Sequence, residues 1–429
     1  MALTISPEVF QSEEKILSSG PSTSQTFLGL GSILWRIAFV TGIAQLSVSI
    51  WIWQFAISLE PILNPLQIGL TFTIGALASL VGYPIAGAMA DVLGRKRTLL
   101  ASFIPQIVGL TALYLLPTWP LVLFSFGLHS FGWSFVLVIS KAMPADIIAG
   151  TTGPDASRKF AMVLMPAFLV DGISPIIAVF LISIGFSMHS LLLIGIVAAG
   201  VALAAAARFV VESMNPETRK KIQDSTRRPL RDLGRSFWIF TGGMVGYYIA
   251  WGMSLPYIGI LIISEWSIGL DIYGLSSSIF SLATVTLMYS LSGFSGRDTK
   301  SGLTISLFAN AIIMTTLGLG SGTLLLILLN LIWAAPIVVW ITAETVLTIN
   351  GVPSEMKGRA LGIYQFATSA TGLIGAPLGA LVWIMGGNLR FLWIVSGVLA
   401  IGFAVIVWMA MIRVKIHKGK SKKRIDLVP

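Results

Sequence analysis

Residues 82–97 read Gly82-Tyr83-Pro84-Ile85-Ala86-Gly87-Ala88-Met89-Ala90-Asp91-Val92-Leu93-Gly94-Arg95-Lys96-Arg97. An apolar run carrying two spaced glycines leads into an aspartate, a glycine and three consecutive cations. Gly82 and Gly87 strip side chains from what reads as a helix end and would let it pack closely on a neighbour. Gly94 permits a tight turn. Asp91 and Arg95 set opposite charges at the mouth of the short loop, where they can act as a latch. A plain charged turn would account for the arginines but not for the spaced glycines with the aspartate.

Outward from this loop the chain is apolar in both directions. Its 429 residues are 55% hydrophobic and 11% charged, with a mean hydropathy of +0.88. A soluble domain carries roughly 25% charged residues, so an ordinary globular enzyme and a disordered chain are both excluded. The apolar residues fall into blocks of the size that crosses a bilayer, about 20 residues per helix. Six such blocks lie between 35 and 211 and six between 236 and 413, predicting an all-α polytopic membrane protein of twelve spans.

The cations fix the predicted orientation. With the N-terminus inside, 27 of the 28 Lys and Arg residues fall in inner loops, tails or inner helix ends, and Arg390 alone lies outside. Cytoplasmic loops hold such an excess, so both termini are expected in the cytoplasm of a cell (plasma) membrane protein. The predicted organisation is a tail over 1–34, a six-helix half over 35–211, a basic linker over 212–235, a second half over 236–413 and a basic tail over 414–429. The polar start, with Glu8, Glu13 and Glu14, gives no sign of a cleavable signal peptide. The net charge of +10 follows the loops rather than an amphipathic face, which argues against nucleic acid and for contact with membrane lipid. Cysteine is absent, which excludes disulfides and thiol chemistry. No nucleophile–base, metal-ligand or phosphate-loop pattern appears, so no catalytic residue, metal or cofactor is expected.

The 82–97 segment resembles the loop motif of the major facilitator superfamily, G-x-x-x-D-x-x-G-R-[KR], matched at Gly87, Asp91, Gly94, Arg95 and Lys96. The resemblance implies two pseudo-symmetric six-helix halves that rock about a central site, with Gly82, Gly87, Asp91, Gly94, Arg95 and Lys96 forming a conformational switch. A second echo supports duplication. Asp146 precedes Pro154 and Arg158, and Glu344 precedes Pro353 and Arg359, the prolines lying 199 residues apart. These segments resemble corresponding loops of the family, which implies a cytoplasmic gate at Asp146, Arg158, Glu344 and Arg359. The loop from Gly293 to Asp298 is a degenerate copy of the first motif.

Polar groups inside a span point to function, because an acid at the centre costs roughly 2.5–3.5 kcal/mol. Asp171 lies near the middle of helix 5 and His129 at similar depth in helix 4. We expect Asp171 to carry a coupling proton and His129 to modulate it; a purely structural role for each is the alternative. In the family, helices 1, 4, 7 and 10 line the cavity. That implies a substrate site drawing on Gln45, Ser49 and Trp53 of helix 1, His129, Trp133 and Ser140 of helix 4, Tyr247, Trp251 and Ser254 of helix 7, and Asn330, Trp333 and Trp340 of helix 10, an aromatic box suited to a bulky, partly apolar ligand. Arg36 and Lys141 read as lying near the inner ends of their helices, which leaves no cation at the midplane and makes small inorganic anions poor candidates.

Helix 4 lacks the arginine of drug:proton antiporters, and helix 5 carries only a partial form of their Gly-Pro pattern, Asp171-Gly172-Ile173-Ser174-Pro175. Gly375-Ala376-Pro377-Leu378-Gly379 in helix 11 is a better copy, although such glycines also serve plain packing. The expected function is secondary active transport, as proton-coupled export of an amphipathic organic compound. The alternative is proton-coupled or facilitated uptake of a sugar or another organic metabolite. Twelve helices complete a permeation unit, so a monomer is expected.

Overall fold

The computed structural model describes residues 29–148, 154–213, 230–291, 299–350, 352 and 357–413. The predicted linker and both predicted tails therefore lie largely outside the described residues. Among the described residues twelve helices are long and apolar enough to cross a membrane. In the first half they are α1 (Ser32–Leu59), α2 (Pro65–Leu93), α3 (Arg95–Leu115), α4 (Leu121–Ile148), α5 (Pro154–Ser183) and α6 (Met188–Phe209). In the second half they are α7 (Gly234–Glu265), α8 (Leu270–Leu291), α9 (Thr299–Leu319), α10 (Thr323–Asn350), α11 (Gly362–Gly386) and α12 (Leu389–Arg413). Large apolar side chains such as Phe39, Ile104, Phe124 and Leu324 stand exposed on the outside of the bundle, as a lipid-facing surface requires.

Two helices depart from the uniform spans expected. α7 passes through a 3-10 turn at Leu255–Tyr257, opened by Pro256, and ends in a π-helical turn over Leu261–Glu265. α11 is interrupted at Thr371. There the hydroxyls of Thr368 and Thr371 bond back to the carbonyls of Tyr364 and Thr368, and back-bonding of this kind bends helices.

Glycines set the closest approaches. Inside the first half, a Cβ on Gly132 of α4 would meet the Ser102 carbonyl oxygen of α3 at 2.6 Å, and one on Gly195 of α6 would meet that of Ser47 in α1 at 2.9 Å. The halves join through α5 against α8 and α2 against α11. At the first joint Gly172 faces Ser281 and Gly274 faces Pro175 and Val179. At the second, Gly69 packs on Tyr257, Ala376 and Ala380. That second joint lies near the end of the bundle away from the N-terminus of α1 and the C-terminus of α12. At the same end, the Ser264 hydroxyl of α7 donates to the Glu60 carboxylate just beyond α1 (2.8 and 3.0 Å), and Gly259 abuts Ile57. The bundle is therefore closed there; the opposite end carries most of the cations and is called the basic end below.

Candidate functional site

A cavity of about 320 Å³ lies between α7, α8 and α10, and Trp53 of α1 is its one lining residue from the first half. Its walls are ring faces at steep angles to one another. Trp251 meets Trp333 at 67° and Trp340 at 84°, with centroids 5.5 and 5.1 Å apart, and Tyr248 meets Trp340 at 52°. Trp333 is anchored from behind, its indole N–H donating to Asn310 Oδ1 of α9 at 2.7 Å. Asn330 and Ser277 add the few polar groups. Trp53, Trp251, Asn330 and Trp333 thus line one space.

The other predicted cavity residues, Gln45, Ser49, His129, Trp133, Ser140, Tyr247 and Ser254, do not line it. Tyr247 is fully buried and donates its hydroxyl to the Leu307 carbonyl at 2.9 Å. It points toward α9, and one residue further along the helix, about 100° round, Tyr248 faces the cavity instead. Trp133 packs against the core of the first half and lines no part of this space. The sequence reading missed the contribution of α8, Tyr273, Ser277 and Phe280. Their spacing of four and three residues is a helical face that could have revealed them.

Beside the cavity, toward the basic end, Glu344 of α10 accepts three hydrogen bonds. They come from the hydroxyls of Tyr248 (3.0 Å) and Tyr364 (3.0 Å) and from the indole of Trp340 (2.7 Å). Tyr248 and Trp340 also line the cavity, so they join pocket and carboxylate directly. Lys141 of α4, in the first half, is exposed, interacts electrostatically with Glu344 and makes no direct ion pair. The side chains of Arg158 and Arg359, predicted as gate partners, lie outside the described residues.

Asp171 sits mid-span in α5 and is tied to α1. Gln45 Nε2 donates to Asp171 Oδ1 at 3.2 Å, the Ser49 hydroxyl donates to the same oxygen, and Gln45 also donates to Ser49 at 2.8 Å. Gln45 and Ser49 therefore serve the aspartate rather than the cavity. Trp53, one turn further along α1, lies beside Asp171 as well as lining the cavity. Its indole N–H is buried and has no hydrogen-bond partner.

His129 is not brought to Asp171. It is buried against Trp51, with ring centroids 5.2 Å apart, and its backbone lies where a Cβ on Gly109 of α3 would clash. Ser49 and Trp51 are two residues apart on α1, roughly 200° round the helix, so the aspartate and the histidine occupy opposite sides of it. Nδ1 of His129 has no partner.

The 82–97 segment folds at the basic end. Gly94 adopts φ 99°, a conformation that favours glycine, and turns the chain from α2 into α3. Arg95 Nη1 lies 2.9 Å from Asp91 Oδ1 and Arg95 Nε 3.1 Å from Asp146 Oδ2. Asp146 thus belongs to this cluster. The segment after α6 closes over it: Glu212 accepts from the backbone N–H groups of Arg95 (2.9 Å) and Lys96 (3.2 Å), and the Ser213 hydroxyl donates to Asp146 at 3.2 Å. A carboxylate at the first turn of α3 suits the positive end of its dipole. Gly82 packs on the Phe131 carbonyl of α4, as close packing requires, whereas a Cβ on Gly87 would meet nothing within 4 Å. The expectation of close packing at Gly87 is therefore corrected.

Among the described residues no group of His, Cys, Asp and Glu side chains could hold a metal ion. The sequence profile of the Major Facilitator Superfamily matches residues 34–247. No curated protein matches the chain. The crystal structure of the human organic anion transporter MFSD10 (TETRAN) is similar at a TM-score of 0.67 and 14% identity, over 88% of this chain and 99% of that one. The crystal structure of the nucleoside transporter NupG is similar at a TM-score of 0.68 and 15% identity, over 89% of this chain and 100% of that one.

Proposed function

Because the chain belongs to the major facilitator superfamily and is a multi-pass secondary transporter of small solutes rather than an enzyme, we propose that it exports an amphipathic organic compound in exchange for protons. The observation that carries this reading is the placement of Trp53. One side chain lines the aromatic cavity and lies beside the mid-span Asp171. A ligand that moves the indole changes the surroundings of the carboxyl, and a proton on the carboxyl changes what the indole faces. Mutual dependence of two occupancies is what an exchanger needs.

Asp171 carries the proton. One proton moving through the membrane potential releases about 2.3 kcal/mol per 100 mV, which drives exchange for an uncharged compound; exchange for a monovalent cation moves no net charge and draws on the pH difference alone, about 1.36 kcal/mol or tenfold in ligand gradient per pH unit. The cavity holds the compound, whose apolar body the tryptophans accept. The Asp91–Arg95–Asp146 cluster, with Glu212 over it, ties α2, α3, α4 and the segment after α6 at the basic end, and acts as the switch. With the basic end in the cytoplasm of a plasma-membrane protein, the closed end described above faces outward. The protein works as a monomer.

The test is proton movement in energised inverted vesicles on addition of amphipathic cations, neutral aromatics and sugars, with wild type and Asp171→Asn side by side. Ligand-dependent proton release is expected in the wild type and its loss in the variant. Silence of the wild type across the panel refutes exchange and favours facilitated or uptake transport. Release that survives in the variant removes Asp171 from the coupling.

A further inference from the structure

The cavity walls and the carboxylate beside them form one recognition unit. The faces of Trp251, Trp333, Trp340 and Tyr248 enclose the space from steeply different directions. Aromatic faces attract cations through the ring quadrupole, most strongly for tryptophan and where water is excluded. Two of these four rings also point a polar hydrogen at Glu344, Trp340 through its indole N–H and Tyr248 through its hydroxyl. A ring that donates a hydrogen bond to an anion gains electron density on its faces, so Glu344 strengthens the cage through the rings as well as through its own charge. None of the lining residues is charged. Among the described residues the cation that acts on Glu344 is Lys141, which makes no direct ion pair with it.

We infer that the ligand is a monovalent organic cation, held by the aromatic cage with Glu344 as its counter-charge and Lys141 as the resident cation that competes for Glu344. Lys141 belongs to the first half, and Glu344 and most of the cavity lining to the second, so the ligand's charge and the lysine's act on one carboxylate from different halves. The inference rests on the cavity being the substrate site of the proposed exporter and adds the charge class of the ligand.

The probe is phenyltrimethylammonium, with tert-butylbenzene as the uncharged isostere and benzenesulfonate as the anion. Binding to the purified full-length protein in detergent is followed by quenching of tryptophan fluorescence. The cation is expected to bind at least tenfold more tightly than either comparison compound. Glu344→Gln is expected to erase that preference while leaving tert-butylbenzene binding unchanged, and Lys141→Met to tighten cation binding severalfold. Equal binding of the cation and its isostere by the wild type overturns the inference, as does a cation preference unaltered in both variants. If Glu344→Gln does not fold, Lys141→Met decides alone, because its side chain is exposed and unpaired, and weakened cation binding there is also fatal. The measurement uses no gradient. A cation preference without proton release in vesicles would refute exchange and leave this inference standing; proton release evoked equally by neutral aromatics would do the reverse.

Discussion

Gly69→Ala tests whether the closed end of the bundle is a movable contact. An ideal Cβ at this α2 position would lie 2.8 Å from Tyr257 Oη, 3.2 Å from Ala380 Cβ and 3.3 Å from the Ala376 carbonyl oxygen. All three atoms belong to the second half. Comfortable heavy-atom contact is about 3.5–4.0 Å, so the methyl is short by several tenths of an ångström or more against each. Tyr257 cannot swing aside without losing its own hydrogen bond to Ala376, 2.8 Å long. Overpacking of this kind costs about 1–3 kcal/mol. The cost falls on the state in which the halves touch and vanishes when they part, so the open population rises by roughly 5–150-fold. The chain has no cysteine, which makes the readout clean. Spin labels on Ile62→Cys and Met385→Cys, at positions 59% and 85% exposed near this end, report the separation by double electron–electron resonance. Gly69→Ala is expected to add or enlarge a longer-distance population. Gly200→Ala, whose Cβ would meet nothing within 4 Å, is expected to leave the distribution unchanged. An unchanged distribution in Gly69→Ala, or an equal shift in Gly200→Ala, would refute the reasoning.

The switch and the histidine give two further expectations. Arg95→Gln leaves the Asp91 and Asp146 carboxylates facing a shared space without their cation; we expect a loss of about 2 kcal/mol, read as a lower thermal midpoint in detergent, and slower transport, with high salt narrowing the gap to wild type. His129→Leu removes a buried ring that contributes no Nδ1 hydrogen bond and never reaches Asp171. It is expected to shift stability by about 1 kcal/mol and to leave the pH dependence of transport as in the wild type; a displaced pH profile would restore the histidine to the coupling path.

The helices were legible because span length and loop charge are properties of the chain itself. The twelve blocks needed no knowledge of packing, and the break at Thr371 was hidden only because threonine back-bonding disturbs a helix without interrupting its hydropathy. The interior was harder to read. A helix apolar on all sides carries no stripe that tells its core face from its lipid face. The choice between Tyr247 and Tyr248, a rotation of one residue, was therefore open in the sequence and was settled by contacts with α9 and α10. The same ambiguity let His129 and Asp171 share a depth while standing on opposite sides of α1. Glu344 was visible as an acid near a span end, and Trp340 stands one helical turn before it on α10, but its other two donors come from α7 and α11, and no local pattern links residues so far apart in the chain.

Apart from Trp53, every residue lining the cavity belongs to α7, α8 or α10. The proposed recognition site thus lies mainly in one half of a duplicated chain, while the Arg95 cluster and Asp171 lie in the other. Such a division makes ligand choice transplantable. A chimera that joins this second half to the first half of another member of the fold should inherit the taste of its aromatic chamber and the drive of its new companion, with positions 53 and 141 carried across the seam.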